Sequence, residues 1–563
     1  MQKRLIECVP NFSEGRDMAV IQQITNAIES VEGIKLLDVD PGKATNRTVV
    51  TFVGEPEAVI EAAFRGIQKA AEVIDMRNHK GEHPRMGATD VCPLVPVNGI
   101  TMEETAAFAK KLAERVGNAL QIPVYLYEHA QDNKERSNLS VIRHGEYEGF
   151  FEKISLPEWK PDFGPRDFNP ITGATVIGAR DFLIAYNVNL NTKSTRIANR
   201  IAFDVREAGR VVREGNPYTG KIKLDENGES VRIPGKLKNV KAIGWYIEEY
   251  QMAQISINLT DYKSTPLHTV FEECRKSADE RGSRVTGSEL VGLIPLEPML
   301  IAGKYFLEKQ GLSAGVSESE LIWTAVKSMG LDELSEFNPN KKIIEYVLKN
   351  AADEKLISHS VKDFANETAA DSPAPGGGSV AAAVGAFGVA LGTMVANLSA
   401  GKRGWEDRTK EFGFWAEKGQ ILKDNLLALV DEDTRAFNAI MDAFALPKDS
   451  EEQKLLRKNE IQTASKYATE VPFKTLEIAV SAIPLIQEMA EKGNPNSLSD
   501  AGVGAACLIT AMQGAWMNVL INARSLDDKA WASEITNKAE KIIVEGKAQC
   551  NEILQNVEMR LKG

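Results

Sequence analysis

Short β-branched runs are spread through the first ~330 residues of this chain and then stop, and that boundary restricts the fold more than any other feature. Thr48-Val49-Val50-Thr51-Phe52-Val53, Val124-Tyr125-Leu126-Tyr127, Phe182 to Val188 and Ala253 to Leu259 read as strands. Amphipathic stretches between them, such as Met102 to Arg115 and Thr195 to Ala208, read as helices. Alternation of this kind predicts α/β layering. The run Ala253 to Leu259 alternates apolar and polar residues, so one of its faces is expected to be wet. A Pro- and Gly-dotted stretch at 161–174 suggests a subdomain junction, and the half is divided at residue 180. From residue 356 onward the pattern is helical with few turn breakers, which predicts an all-α bundle. At 563 residues the chain exceeds one core. The expected architecture is multidomain: α/β subdomains at 1–180 and 181–332 in an α+β sandwich-like half, a charged connector at 333–355, and a helical domain at 356–563.

Two uncharged stretches raise the question of a membrane. Ser372 to Gly401 runs 30 positions without a charge, and Ala501 to Ala523 is also uncharged. Both are rich in Ala and Gly, carry Asn397, Ser399, Gln513, Asn518 and Asn522, and lack aromatic belts at both ends. They are expected to be the buried central helices of a bundle, not a membrane hairpin. A net charge of −12 argues against a general nucleic-acid binder. The five cysteines are dispersed and form no CxxC, which fits a reducing compartment and no structural zinc. The start of the chain lacks the apolar stretch of a signal peptide, so a cytoplasmic location is expected.

Several residues combine chemistry with local constraint. His83 lies in the Gly- and Pro-punctuated segment 81–97, among only six histidines in the chain. Imidazole exchanges protons near neutral pH, although a lone loop histidine is more often structural. His79 is expected to be exposed. Asp40 precedes Pro41 at a strand end, where a turn-capping role is the plain alternative. Arg196 and Arg200 share a helix face and could hold a substrate carboxylate, or simply be solvated. No histidine lies beyond His359, so proton chemistry in the second half falls to other side chains. The run Gly376-Gly377-Gly378-Ser379 opens a helix whose amides can hold an anion, with a simple Ser379 N-cap as the alternative. Helical spacing puts Asp433 on an apolar stripe with Ala436, Phe437, Ile440 and Phe444, whereas Asp431 shares the other face with Arg435 as a surface pair. A carboxylate on a core-facing stripe is costly unless paired or used.

The segment 81–97, with Cys8 to Gly15 and Asp38 to Gly54, resembles the glutamate formiminotransferase half of the bifunctional formiminotransferase-cyclodeaminases, in their bacterial form. Further similarity runs through 164–190 and Arg284 to Pro295. In the second half, Pro373 to Ala381, Asn494 to Asp500, Asn518 and Asn522 resemble the cyclodeaminase motifs. The resemblance implies transfer of a formimino group from N-formimino-L-glutamate to tetrahydrofolate. It also implies closure to 5,10-methenyltetrahydrofolate with loss of ammonia, within histidine degradation. It implies His83 as proton carrier, Asp40 as its support and Asp433 as the acid or base of the second step. Gly164, Pro165 and Gly173 match a folate-binding loop whose more variable interior includes Thr172, and the resemblance implies folate contacts from these residues and from Arg180 and Asn187 beyond them. Gly376, Gly377, Gly378, Ser379, Asn494, Asp500 and Asn518 match the second folate site. Tetrahydrofolate, polyglutamylated, is then a cosubstrate, no metal is needed, and the resemblance implies a homo-oligomer of dimers whose helical half forms a dimer site. Other readings of the helical half are a methenyltetrahydrofolate cyclohydrolase or an inactive folate-binding scaffold.

Overall fold

The computed structural model describes residues 4–43, 45–81, 84–216, 219–348, 356–371 and 374–563. His83 and residues 349–355 of the expected connector therefore lie outside the described residues. The chain divides into two compact units, one made of 1–298 with 329–348 and the other of 299–328 with 349–563.

The first unit holds two sheets. Strands β1 (Leu5–Cys8), β2 (Asn11–Phe12), β3 (Lys35–Gly42), β4 (Arg47–Gly54), β5 (Thr89–Asn98), β6 (Val124–Glu128) and β7 (Thr175–Ala179) form the first. β1 and β2 are two pieces of one interrupted path: both pair with β4 on one side and β5 on the other, and Pro10 lies in the gap. β3 pairs antiparallel with β4, while β5, β7 and β6 run parallel. Helices α1 (Met18–Glu29), α2 (Pro56–Val73) and α3 (Met102–Leu120) bury Ile6, Cys8, Val50, Phe52, Cys92 and Leu94 on one face. α4 (Leu139–Ile142) and α5 (Glu146–Ser155) cover part of the other face, around Val91, Tyr125, Tyr127 and Val176.

The second sheet follows: β8 (Ile184–Leu190), the small hairpin β9 (Arg210–Val211) and β10 (Arg232–Ile233) beside it, then β11 (Val240–Ile247), β12 (Met252–Leu259) and β13 (Val285–Val291). The order is β11-β12-β8-β13, all antiparallel. α6 (Thr195–Val205) packs on β11 so closely that a Cβ at Gly244 would meet the Ala198 Cβ at 2.7 Å. α7 (Leu267–Asp279) packs beside α6. The strict alternation in β12 puts Ala253, Ile255, Ile257 and Leu259 in the core, as expected. Its other face is not simply wet: Gln254 is only 1% exposed, because a second polar layer covers it.

The chain continues through α8 (Leu296–Lys309) and α9 (Glu318–Met329), then α10 (Pro339–Lys342) and α11 (Ile344–Leu348). The stretch 333–348, expected within a connector, stays with the first unit: Ile294 bridges Ile343, and Glu333 accepts from Asn189.

The second unit is helical, with α12 (Val361–Thr368), α13 (Gly377–Ala400), α14 (Thr409–Ala445), α15 (Glu451–Ser481), α16 (Ile483–Lys492), α17 (Leu498–Ala523) and α18 (Lys529–Lys562). α13 and α17 are the two uncharged stretches, and each is long and apolar enough to cross a membrane. They pack antiparallel at the centre of the bundle. A Cβ at Gly388 would come within 2.9 Å of the Gly504 carbonyl, so glycine there permits the close backbone approach. Their inward faces share one core with α14, α15, α16 and α18.

Candidate active sites

Antiparallel partners on a sheet share a face, so Asp38 (opposite Thr51) and Asp40 (opposite Val49) point away from the helical core, as does Glu7 (opposite Val53). This face meets the polar face of the second sheet. There Asn187 donates to Glu289 (3.2 Å), and Gln254 donates to Asn189 (2.8 Å) and to Glu289 (3.4 Å). Trp245 Nε1 donates to Gln254 (3.2 Å), and Tyr250 donates to Glu289 (3.2 Å). Burial raises the pKa of Asp40, Lys342 and Arg47 oppose the rise, and Glu289 adds to it. Burial also raises Asp38, which Lys342 opposes. Arg47 is pushed down to about 10 by burial, with Asp90 opposing and Arg143 assisting. The Asp90 side chain is fully buried, and its carboxylate is held by the Arg143 guanidinium and accepts from the Met86 N–H (3.1 Å).

The segments flanking His83 are pinned near this cluster. A Cβ at Gly81 would meet the Thr45 carbonyl at 2.2 Å, which packs Gly81 on the β3–β4 turn that follows Asp40's strand. Arg85 donates to His79 Nδ1 (3.2 Å) and to Glu148 (2.7 Å), while His79 Nε2 lies 2.8 Å from the Asn46 carbonyl. His79 is thus half-buried and structural, contrary to the expected exposure, and burial lowers its pKa. Ala88 N–H donates to Thr172 O (2.8 Å) and Ala174 N–H to Met86 O (3.0 Å). These bonds bring Thr172 and Gly173 against the loop that follows His83. Gly173 has φ +64, and a Cβ there would meet Met86 O at 2.2 Å, so the approach demands glycine. Gly164 and Pro165 stand at the other end of the loop, where Gly164 packs on Ile122 and Gly117. Arg180 directly follows β7, beside Tyr127 and Glu7. Asn187 is in the polar layer. Arg196 and Arg200 are not near it: α6 covers the opposite face of the second sheet, because its small buried face (Ala198, Ala202) packs on β11.

In the second unit Asp433 meets the start of α13. Ser379 Oγ donates to Asp433 Oδ2 (2.9 Å), and the Ser379 backbone N–H also bonds the carboxylate. A Cβ at Gly378 would sit 2.2 Å from Asp433 Oδ1, so the missing side chain makes room for the acid. Burial raises the Asp433 pKa and the Ser379 bonds oppose the rise. Gly376, not Ser379, is the N-cap; Ser379 is fully buried in the first turn, where it can reach the aspartate. Gly377 faces the Asn518 amide, which donates to Gly514 O (2.8 Å).

Two expectations on α14 are reversed. Asp431 is 8% exposed and is not a surface pair; Arg435 pairs with Glu432 instead, and Tyr467 donates to that same glutamate. Phe444, expected inside, is 50% exposed, because the face buried in the last turn is that of its neighbour Ala443. Asn494 and Asp500 are not brought to Asp433 within the chain. Asn494 N–H donates to Ser399 Oγ (2.8 Å) at the far end of α13, about 30 Å from Gly378 at 1.5 Å per residue.

Sequence reasoning passed over Glu7, Arg47, Tyr250, Gln254, Glu289 and Lys342. Glu7 alone carried a local signal, an acid between the apolar Ile6 and Cys8 in a strand.

Family models match three stretches of the chain: the formiminotransferase domain, N-terminal subdomain, over 5–180, the formiminotransferase domain over 185–349, and formiminotransferase-cyclodeaminase over 360–541. The chain is 43% identical over 558 residues to formimidoyltransferase-cyclodeaminase of Mus musculus, covering 99% of both chains. It is 42% identical over 313 residues to glutamate formimidoyltransferase of Thermoplasma acidophilum, covering 55% of this chain and 95% of that one. It is 36% identical over 204 residues to methenyltetrahydrofolate cyclohydrolase of Methylorubrum extorquens, covering 36% of this chain and 98% of that one.

Proposed function

The chain belongs to the formiminotransferase-cyclodeaminase family, and from that premise we propose how its two sites divide the chemistry. The first unit transfers the formimino group of N-formimino-L-glutamate to N5 of tetrahydrofolate and releases glutamate. The second unit closes N10 onto the formimino carbon of that product, expels ammonia and leaves 5,10-methenyltetrahydrofolate. The match over 99% of both chains carries this reading, because a relative with one activity would cover only one half.

In the first step, His83 takes the proton from N5 as it attacks and returns one to the departing glutamate nitrogen. Asp40 supports it electrostatically; the burial that raises its pKa suits a carboxyl that shares a proton with a base. Thr172 and Gly173 place folate backbone contacts beside the His83 loop, and Asn187 presents its amide from the facing sheet. Holding two substrates between the sheets supplies much of the acceleration.

In the second step, Asp433 takes the proton from N10 or delivers one to the leaving amine. Its raised pKa serves the acid role, and the Ser379 bonds fix its direction. Gly376, Gly377 and Asn518 line the folate position. Asn494 and Asp500 serve the site of a second copy. A homodimer is supported by exposed apolar residues at helical spacing on α13 (Phe387, Met394, Leu398) and on α17 (Val503, Met517, Ile521). An antiparallel pairing of such faces carries Asn494 of one copy toward Asp433 of the other. A polyglutamate tail on the folate tethers the intermediate between steps, and the enzyme works in the cytoplasm. Matches that break at 180–185 and 349–360 support a subdomain boundary at 180 and a cyclodeaminase from 356, while the formiminotransferase match over 185–349 takes in 333–348 and narrows the junction expected at 333–355 to its last residues.

A second reading, a cyclohydrolase in the helical half, is favoured by the Methylorubrum extorquens match. Ammonia separates the two, since a cyclohydrolase releases none. The D433N variant is expected to release glutamate at the normal rate and no ammonia, and D40N to lose glutamate release. Normal ammonia release by D433N rejects its role.

A further inference from the structure

Glu7 is an anomaly that the chemistry above does not use. It sits in the middle of a sheet between Val53 on β4 and Val95 on β5, and is 2% exposed. Among the described residues its carboxyl has no hydrogen-bond or ion-pair partner; the charges it feels are Arg180, which attracts it, and Glu345, which repels it. Ile6 and Cys8 on either side enter the helical core, so Glu7 lies on the face shared with Asp38 and Asp40, toward the second sheet. A buried carboxyl without a partner is costly, and a strand that retains one in place of an aliphatic residue gains nothing in packing. The missing partner must offer donors.

We propose that Glu7 is a binding residue for a planar N–C–N edge that presents two N–H groups. A carboxylate accepts such an edge through both oxygens, as it accepts a guanidinium. The inference rests on the formiminotransferase reading of the first unit and deepens it, because both substrates of that reaction carry this edge. One is the formamidine of N-formimino-L-glutamate, a cation at neutral pH. The other is the N3–H and 2-amino edge of the pterin. Arg180, close to Glu7 but outside ion-pair range, is placed to meet an acceptor on the same ligand.

The test uses the full-length protein as wild type, E7Q and E7D. Initial rates of glutamate release are measured with each substrate varied against saturation by the other, and binding of 5-formyltetrahydrofolate is measured directly. A rise of at least tenfold in one KM, with kcat and the other KM within twofold, is the expected result for E7Q. If the affected KM is that for tetrahydrofolate, 5-formyltetrahydrofolate binding weakens with it and the pterin edge is the ligand. If it is that for N-formimino-L-glutamate, folate binding is unchanged and the formamidine is the ligand. E7D keeps the charge and should fall between wild type and E7Q. Both KM values within twofold of wild type, or a fall in kcat alone, overturns the proposal. Ammonia release from supplied 5-formiminotetrahydrofolate reports that each variant is folded. Failure of the wild type to release glutamate is a different result, and rejects the reading beneath.

Discussion

Gly378 is where the helical site is most sharply defined, and replacing it by alanine gives a prediction with a stated size. The added Cβ would lie 2.2 Å from Oδ1, 2.6 Å from Cγ and 2.7 Å from Oδ2 of Asp433. Ordinary contact begins near 3.4 Å, so the carboxylate must retreat by roughly 1 Å. That movement takes it out of reach of the Ser379 hydroxyl, now at 2.9 Å. A bond to a charged acceptor contributes about 1.5–3 kcal/mol, and a misplacement of about 1 Å at a reacting group costs on the order of 100-fold in rate. Neighbouring Gly377 is the control. Its Cβ would meet only the Asn518 amide nitrogen, at 3.4 Å. Both substitutions remove a helical glycine and so favour the helix by up to about 1 kcal/mol. G378A should therefore lose about 100-fold in kcat for ammonia release from 5-formiminotetrahydrofolate, whereas G377A, which borders the folate position, should keep kcat within about threefold and show its effect in KM. Glutamate release, measured on the same samples, should not change in either. Near-normal ammonia release by G378A, or equal losses in both variants, would refute the placement of Asp433 as the reacting acid.

Other outcomes follow from burial and charge. R143A leaves the fully buried Asp90 carboxylate without its guanidinium and should destabilise the first unit by about 3–5 kcal/mol, read from its denaturant midpoint. Glu7 has its pKa raised from 4.5 to about 7, so it favours the folded state at low pH and loses that contribution as pH rises through about 7. The gap corresponds to about 3 kcal/mol. E7Q should then be more stable than wild type by up to that amount at about pH 8 and equal to it at about pH 4; a parallel pH profile for the two proteins contradicts the cause given. R196A should leave the KM for N-formimino-L-glutamate within about twofold, since α6 covers the far face of the second sheet.

Local pattern carried much of the fold. The run 48–53 lies inside β4 and 253–259 inside β12, because β-branched and aromatic residues suit a pleated strand, although both strands are more buried than their local patterns indicate. The uncharged stretches became α13 and α17, since small residues with few charges suit the centre of a bundle. What could not be read locally depends on distant partners. Asp40 feels Glu289 and Lys342, roughly 250 and 300 residues away, and no periodicity announces such a meeting. A helical wheel orders the faces of α14 but not which neighbour covers each, so Asp431 and Phe444 exchanged their expected environments. The distance between Asn494 and Gly378 was more accessible: two motifs at the starts of long antiparallel helices must stand at opposite ends. Arg196 and Arg200 show the limit of reading shared helix faces, because a face says nothing about which side of the sheet its helix takes.

The two-site division is tested most directly by incubating the full-length protein with N-formimino-L-glutamate and tetrahydrofolate while following glutamate, ammonia and methenyltetrahydrofolate absorbance together. All three should appear in equal amounts, with ammonia and absorbance lost together in D433N while glutamate persists. Glutamate without ammonia in the wild type would remove the cyclodeaminase assignment, and no glutamate at all would contradict the roles given to His83 and Asp40.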